Sequence, residues 1–202
     1  MYVPKHFQMA DREDVYELIT KHSFATLVST NDEVPFATHL PLSLSDDQQY
    51  LVGHFARKNP QWQGLEGQRV LAIFQGPHCY ISPTWYETGQ AVPTWNYMVA
   101  HVTGTFEFVS DEVLHQSLAE LVANYEDKES PYLYEKQDPE FLNNMSKGVV
   151  GFQIKIDQLV GKAKLSQNHP EERKRLVIDQ LEKQPSDDER QIATYMRQHN
   201  DL

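Results

Sequence analysis

Three short stretches of this sequence gather side chains able to hold a charged or aromatic molecule. The first runs His54-Phe55-Ala56-Arg57-Lys58-Asn59-Pro60-Gln61-Trp62. It follows an apolar, strand-like run and opens a segment expected to be helical. Two cations at a helix start repel a dipole that is already positive there. A phosphate would relieve the repulsion, with backbone N–H groups and the Arg57 and Lys58 side chains converging on it. The alternative is a pair of solvated surface charges.

The second stretch ends the last strand, where Lys162, Lys164 and Ser166 alternate onto one face. Gln167 and Asn168 follow, so amide donors and acceptors lie next to a cation. The alternative is an ordinary strand end followed by a helix cap at Asn168 or His169. The third stretch, "AVPTWNYMVAHVTG" from Ala91 to Gly104, pairs with "GPHCYISPTWY" upstream. A Pro-Thr-Trp pattern occurs in both, at Pro83-Thr84-Trp85 and Pro93-Thr94-Trp95. Indole and phenol rings favour boundaries between apolar and wet regions. A flat heterocycle needs such a wall with polar groups at its rim, and Thr94 and Asn96 could supply them beside Trp95. A subunit interface or a core with satisfied ring N–H groups would use the same aromatics.

Other chemistry lacks its motif. There is no GxGxxG or GxxxxGK[ST] loop, no GxSxG elbow, no HxxxH pair and no CxxC. The one cysteine, Cys79, sits between His78 and Tyr80 in an apolar run, as a small buried hydrophobe would. No metal site and no catalytic dyad is expected.

The elements that must position these residues follow from periodicity. Asp11 caps a helix over 12–22, with Val15, Leu18 and Ile19 on one face. Strands are expected at 24–30, over "VPFATHLPLSLS", at 50–55, over "QRVLAIFQG", at 78–86 and from Thr94 to about Val109. Asn31-Asp32-Glu33 and Asp46 to Gln49 are turn signals, and residues 56–67 should form a short helical crossover. A bend or bulge is expected at Gly104. Ser110 caps a helix carrying Val113, Leu114, Leu118, Leu121, Val122 and Tyr125. A polar loop over 127–138 and a short helix near 139–147 lead to a strand or hairpin from 149. Pro170 starts a helix, and Ser186 with Glu189 forms a capping box for another. Strands outnumber helices and do not alternate with them. The fold class is therefore mainly β with peripheral helices (α+β), a small barrel rather than a doubly wound sheet. Residues 1–168 form the barrel domain and 169–202 a C-terminal helical extension.

Composition narrows the partners. The 202 residues carry 40% hydrophobic and 11% aromatic side chains, enough for a packed core, and a net charge of −11. An acidic chain repels a phosphate backbone unless its cations gather on one face. No apolar run nears the ~20 residues of a membrane-spanning helix, there is no leader-like segment, and a lone cysteine forms no internal disulfide. These features favour a cytoplasmic protein.

"HFARKNPQW", "GPHCYISPTWY", "VPTWNYMVAHVTG" and "KLSQN" resemble, in order, the signature segments of the PaiB family. The resemblance covers nearly the whole chain. It implies an FMN-binding split β-barrel of the pyridoxamine-phosphate-oxidase and flavin-reductase kind, working as a homodimer with FMN at the subunit interface. His54, Arg57 and Lys58 would meet the phosphate. Thr94, Trp95 and Asn96 would meet the ring, and Lys164, Ser166, Gln167 and Asn168 would form a second polar wall. The family pattern continues "KLSQN" with arginine, whereas this chain has His169. The resemblance also implies negative transcriptional regulation of protease-synthesis and sporulation genes, through DNA or through a regulatory protein partner. The region from Glu171 onward, with six basic and eight acidic residues, is a poor groove reader. Two other readings remain open: a flavin-dependent oxidoreductase, and a flavin- or haem-binding module that never touches DNA.

Overall fold

A computed structural model describes residues 1–31, 33–127 and 129–200. Asp32 of the expected turn, Lys128 of the polar loop and the last two residues lie outside the described residues. Seven strands form one sheet in the order β2-β1-β5-β6-β7-β4-β3. They are β1 (Phe24–Asn31), β2 (Val34–Pro41), β3 (Ser43–Leu44), β4 (Tyr50–Ala56), β5 (Arg69–Ile81), β6 (Thr94–Phe108) and β7 (Val149–Lys164). Five helices accompany them: α1 (Arg12–Lys21), α2 (Asp111–Tyr125), α3 (Pro139–Ser146), α4 (Glu171–Leu181) and α5 (Asp187–Asn200). β1 pairs antiparallel with β2 and β5, and β4 antiparallel with β3 and β7. No helix among the described residues is long and apolar enough to cross a membrane.

The chain forms two compact units. One comprises Met1–Lys21, Gln75–His101 and Val160–Leu202. Its core joins Val15, Leu18 and Ile19 of α1 with Cys79, Ile81, Met98 and Ala100, and with Val177, Leu181, Ile192 and Met196 of α4 and α5. Burial pushes the Cys79 thiol up to about 12, helped by the nearby Glu189 and Asp188 carboxylates. The thiol therefore stays protonated and inert.

The other unit comprises His22–Phe74 and Val102–Leu159. Phe55, Phe106 and Phe152 fill its centre, with ring centroids 4.8 and 4.9 Å apart at the two closest pairs. Register in β4 and β7 runs from Tyr50 opposite Lys155 to Ala56 opposite Val149. Gly104 lies in this unit, and burial alternates through it without a slip. The expected bulge is therefore absent. A β-carbon there would sit 2.2 Å from the Lys155 carbonyl oxygen, so close approach of β6 to β7 is what requires glycine.

Three other expectations change. The runs "QRVLAIFQG" and "HCYISPTWY" are one strand, β5, ending at Ile81. Gly76 and Pro77 are buried in succession, so the inward face slips by one residue without ending the strand. The stretch "VPFATHLPLSLS" divides at Leu42: its N–H still donates to the Ser23 carbonyl on the β1 side, while Ser43 and Leu44 pair with β4. The helical crossover over 56–67 is only a 3-10 turn, Pro60–Trp62. The Asn59 side chain accepts from the Gln61 N–H to start that turn, and positive φ at Gly64 and Gly67 takes the chain out of helical geometry.

Candidate functional site

The strand that carries Trp95-Asn96-Tyr97 near its start alternates between core and solvent. Trp95 is 52% exposed, Asn96 is fully buried, and Tyr97 is half-buried. The rings face outward and the amide faces the core of its unit. Asn96 Nδ2 donates to Ser166 Oγ at 3.0 Å and to Met196 Sδ at 3.4 Å, and its Oδ1 accepts from Ser166 Oγ at 3.3 Å. Buried amides need such partners. Asn96 thus positions the Ser166 turn instead of facing a cleft.

That turn departs from extended geometry immediately after β7. Ser166 has φ +63°, an unfavourable region for a side-chain-bearing residue. Gln167 holds it from within. Its Oε1 accepts from the Leu165 N–H at 2.7 Å, and its Nε2 donates to the Ala163 carbonyl at 2.6 Å. The His169 N–H closes the turn on the Ser166 carbonyl at 3.0 Å. Ser166 and Gln167 are therefore occupied in shaping the chain, and Asn168 is exposed at its outer edge.

Two lysines share the adjoining face. Lys164 Nζ donates to Thr94 Oγ1 and to the Trp95 carbonyl, both at 2.6 Å. Lys162 is buried, donates to the Tyr2 carbonyl at 3.3 Å, and lies 5.1 Å from the Tyr97 ring centre. Burial, and then the Lys162 charge, hold Lys164 below the usual lysine range. Among the described residues neither ammonium has a carboxylate partner. Trp95, with Tyr80 edge-on at 6.1 Å and His78 stacked at 6.3 Å, forms an exposed aromatic shelf in the same unit.

A cleft of about 520 Å³ opens beside Lys164 and Thr94, a volume within the range of small-molecule sites. Phe7, Tyr86, His169 and Arg173 also line it, along with the loop before β6. Arg173 lies 4.7 Å over the Tyr86 ring and grips the Glu87 carboxylate through Nε at 3.1 Å and Nη2 at 2.5 Å. Its Nη1 is 3.4 Å from His169 Nδ1. Burial, then the Arg173 and Lys164 cations, lower the His169 pKa. The Tyr86 hydroxyl is buried without a partner among the described residues, and burial raises its pKa. Sequence patterning had pointed to neither Tyr86, Glu87 nor Arg173. The one available signal was a run of three cations, Arg173-Lys174-Arg175, directly after the acids Glu171 and Glu172 that open a helix.

His54, Arg57 and Lys58 belong to the other compact unit. His54 pairs opposite Gly151 on β4, and burial lowers its pKa. Arg57 donates from Nε to the Lys147 carbonyl and from Nη2 to the Val149 carbonyl, both at 2.6 Å. It fastens the turn between α3 and β7. The α-helix expected to begin here is absent, so no helix dipole acts on Arg57 and Lys58. Among the described residues, no group of three or more His, Cys, Asp or Glu side chains is placed to hold a metal.

Residues 1–158 match the family model described as "Putative FMN-binding domain". The chain is 40% identical over 200 residues to "Protease synthase and sporulation protein PAI 2" of Bacillus subtilis (strain 168). That similarity covers 97% of this chain and 96% of the relative. Among solved structures, the flavocytochrome Anf3 from Azotobacter vinelandii aligns with a TM-score of 0.64 at 16% identity, over 80% of this chain and 72% of its own. The FAD and heme binding protein from Mycobacterium smegmatis aligns with a TM-score of 0.61 at 19% identity, over 78% and 73%. At such identities the likeness shows the fold alone, a split β-barrel with peripheral helices.

Proposed function

This chain belongs to the PaiB family of FMN-binding split barrels, its cofactor is FMN, and we propose that it acts as a homodimeric negative regulator of protease-synthesis and sporulation genes. The observation that carries the regulatory reading is similarity over almost the full length of both chains to a relative named for those processes.

The residues present fit FMN. The Trp95 shelf offers a flat apolar face, and Lys162 and Lys164 are cations with no carboxylate partner among the described residues. We assign Thr94, Trp95, Lys164 and Asn168 to contact with the cofactor, and Asn96, Ser166 and Gln167 to holding those residues in place. His54, Arg57 and Lys58 belong to the other compact unit and are proposed as phosphate contacts on the family resemblance alone. Bound FMN would supply redox or light-sensitive chemistry; the chain would bind it, orient it and exclude water. Exposed Tyr80 and Trp95 are the surface we assign to the second protomer.

Direct groove reading by α4 and α5 is disfavoured. Arg173, Arg175, Arg190 and Arg197 each already face a carboxylate. Regulation would then run through a protein partner or a small molecule, with the cytoplasm as its setting. A flavin-dependent oxidoreductase is the second reading, favoured by the open cleft beside Lys164.

A visible spectrum of the purified protein, with and without added FMN, tests the proposal. Flavin absorbance and a dimer mass by light scattering are expected, and bleaching by a nicotinamide donor would favour the oxidoreductase. A colourless protein that takes up no FMN would overturn the flavin reading. A second expectation concerns Arg57→Ala, which should lower FMN affinity about ten- to a hundred-fold, the value of one charge-assisted contact. Arg57→Lys should recover part of it, and an unchanged titration would remove Arg57 from the site.

A further inference from the structure

We propose that the cleft lined by Tyr86, His169 and Arg173 is an oxyanion-binding subsite latched by Glu87, whose carboxylate is displaced from Arg173 by a ligand phosphate or carboxylate. It rests on the reading of Lys164 as a ligand contact, but not on the ligand being a flavin.

The Glu87 carboxylate shows what the Arg173 guanidinium is shaped to hold. Two adjacent N–H edges face one planar pair of oxygens, at 3.1 and 2.5 Å. This is the fork by which arginine recognises carboxylates and phosphates. The partners are 86 residues apart in sequence, and their side chains are only 18% and 28% exposed.

Charge around the cleft is unbalanced. Arg173 and Lys164 line it, and Glu87 is the one carboxylate described against them. Tyr86 adds a hydroxyl that is buried and unpartnered. A buried donor without a partner costs ~1–3 kcal/mol. An oxyanion on Arg173 would give that hydroxyl an acceptor and would meet Lys164 across the cleft. His169, neutral when its pKa is low, offers a further donor from the ring nitrogen that does not face Arg173. Glu87 begins the loop that leads to Thr94, so its release would free one wall of the cleft. Anion binding and loop position are thereby coupled through a single ion pair.

Inorganic phosphate is the probe, titrated into the full chain and followed by ¹H–¹⁵N spectra of the arginine side chains. Glu87→Gln should bind phosphate at least tenfold more tightly than the wild type, because the competing carboxylate is gone. Arg173→Met in the Glu87→Gln background should abolish that gain, and Arg173→Lys should keep only part of it. A melting curve for each variant separates loss of the subsite from loss of the fold. No gain in Glu87→Gln, or a gain that survives Arg173→Met in a folded protein, overturns the proposal.

The source of the oxyanion is read by comparing FMN with riboflavin, which lacks the phosphate. If FMN supplies it, Glu87→Gln tightens FMN but not riboflavin, and free phosphate competes with FMN. If a second molecule supplies it, FMN affinity is unmoved and phosphate binds alongside. A protein that gains phosphate affinity yet takes up no FMN would sink the flavin reading and leave this one standing.

Discussion

Lys164 and Thr94 are 70 residues apart, yet the lysine Nζ sits 2.6 Å from the threonine hydroxyl and equally close to the Trp95 carbonyl. One strand ends where the other begins, and the ammonium ties them. A cation so placed, with no acid beside it among the described residues, is held ready for an anionic or electron-rich ligand.

Lys164→Met should therefore lower FMN affinity roughly ten- to a hundred-fold, the equivalent of ~1.5–3 kcal/mol. The stem of methionine fills the half-buried space, so the melting temperature should move little. Fluorescence titration of FMN gives the constant. Equal affinity in the variant would show that the lysine only joins the two strand ends.

Asn96 makes a different prediction, about stability. Asn96→Ala leaves Ser166 Oγ without both of its partners inside a dry core. The expected cost is about 1–3 kcal/mol, measured by urea unfolding. Ser166→Ala should cost less on top of Asn96→Ala than alone, because the two share one network. Strict additivity would show that the hydrogen bonds do not couple.

Gly104→Ala should destabilise by about 1–3 kcal/mol or more, since the new methyl meets a backbone carbonyl at 2.2 Å and β7 must move. A lowered urea midpoint is the readout. A midpoint equal to wild type would mean that the two strands separate there at little cost.

Burial lowers the pKa of His54, His101 and His169. The unfolded chain, with ordinary histidines near 6.5, then binds more protons than the folded one just below that value. Stability is fully present above pH 6.5 and falls as pH drops toward the depressed folded values. Melting temperatures should decline between pH 7 and pH 5, and His54→Gln or His101→Gln should flatten the decline. A melting temperature that rises on acidification would reverse the assignment.

The strands of the sheet were legible because period-two alternation survives throughout β6. The break expected near Gly76 was not one, since glycine and proline there shift the phase of β5 instead of stopping it. The helix over 56–67 was misjudged because a run of polar residues around Pro60 carries no periodicity to contradict it. For the site, alternation placed Lys162 and Lys164 on one face, but Ser166 lies past the end of β7 and turns into the core. Alternation gave no sign that Asn96 would be buried against Ser166, because that contact is tertiary. The grip of Arg173 on Glu87 was equally invisible: a helix start and a loop start meet only after folding.

Cys79 is the sole thiol of the chain, buried and held protonated. Native protein should then resist alkylation, and any labelling clocks how often this part of the molecule breathes. Ligands that tighten the fold would slow that clock, so occupancy could be followed by mass spectrometry without an added dye or tag.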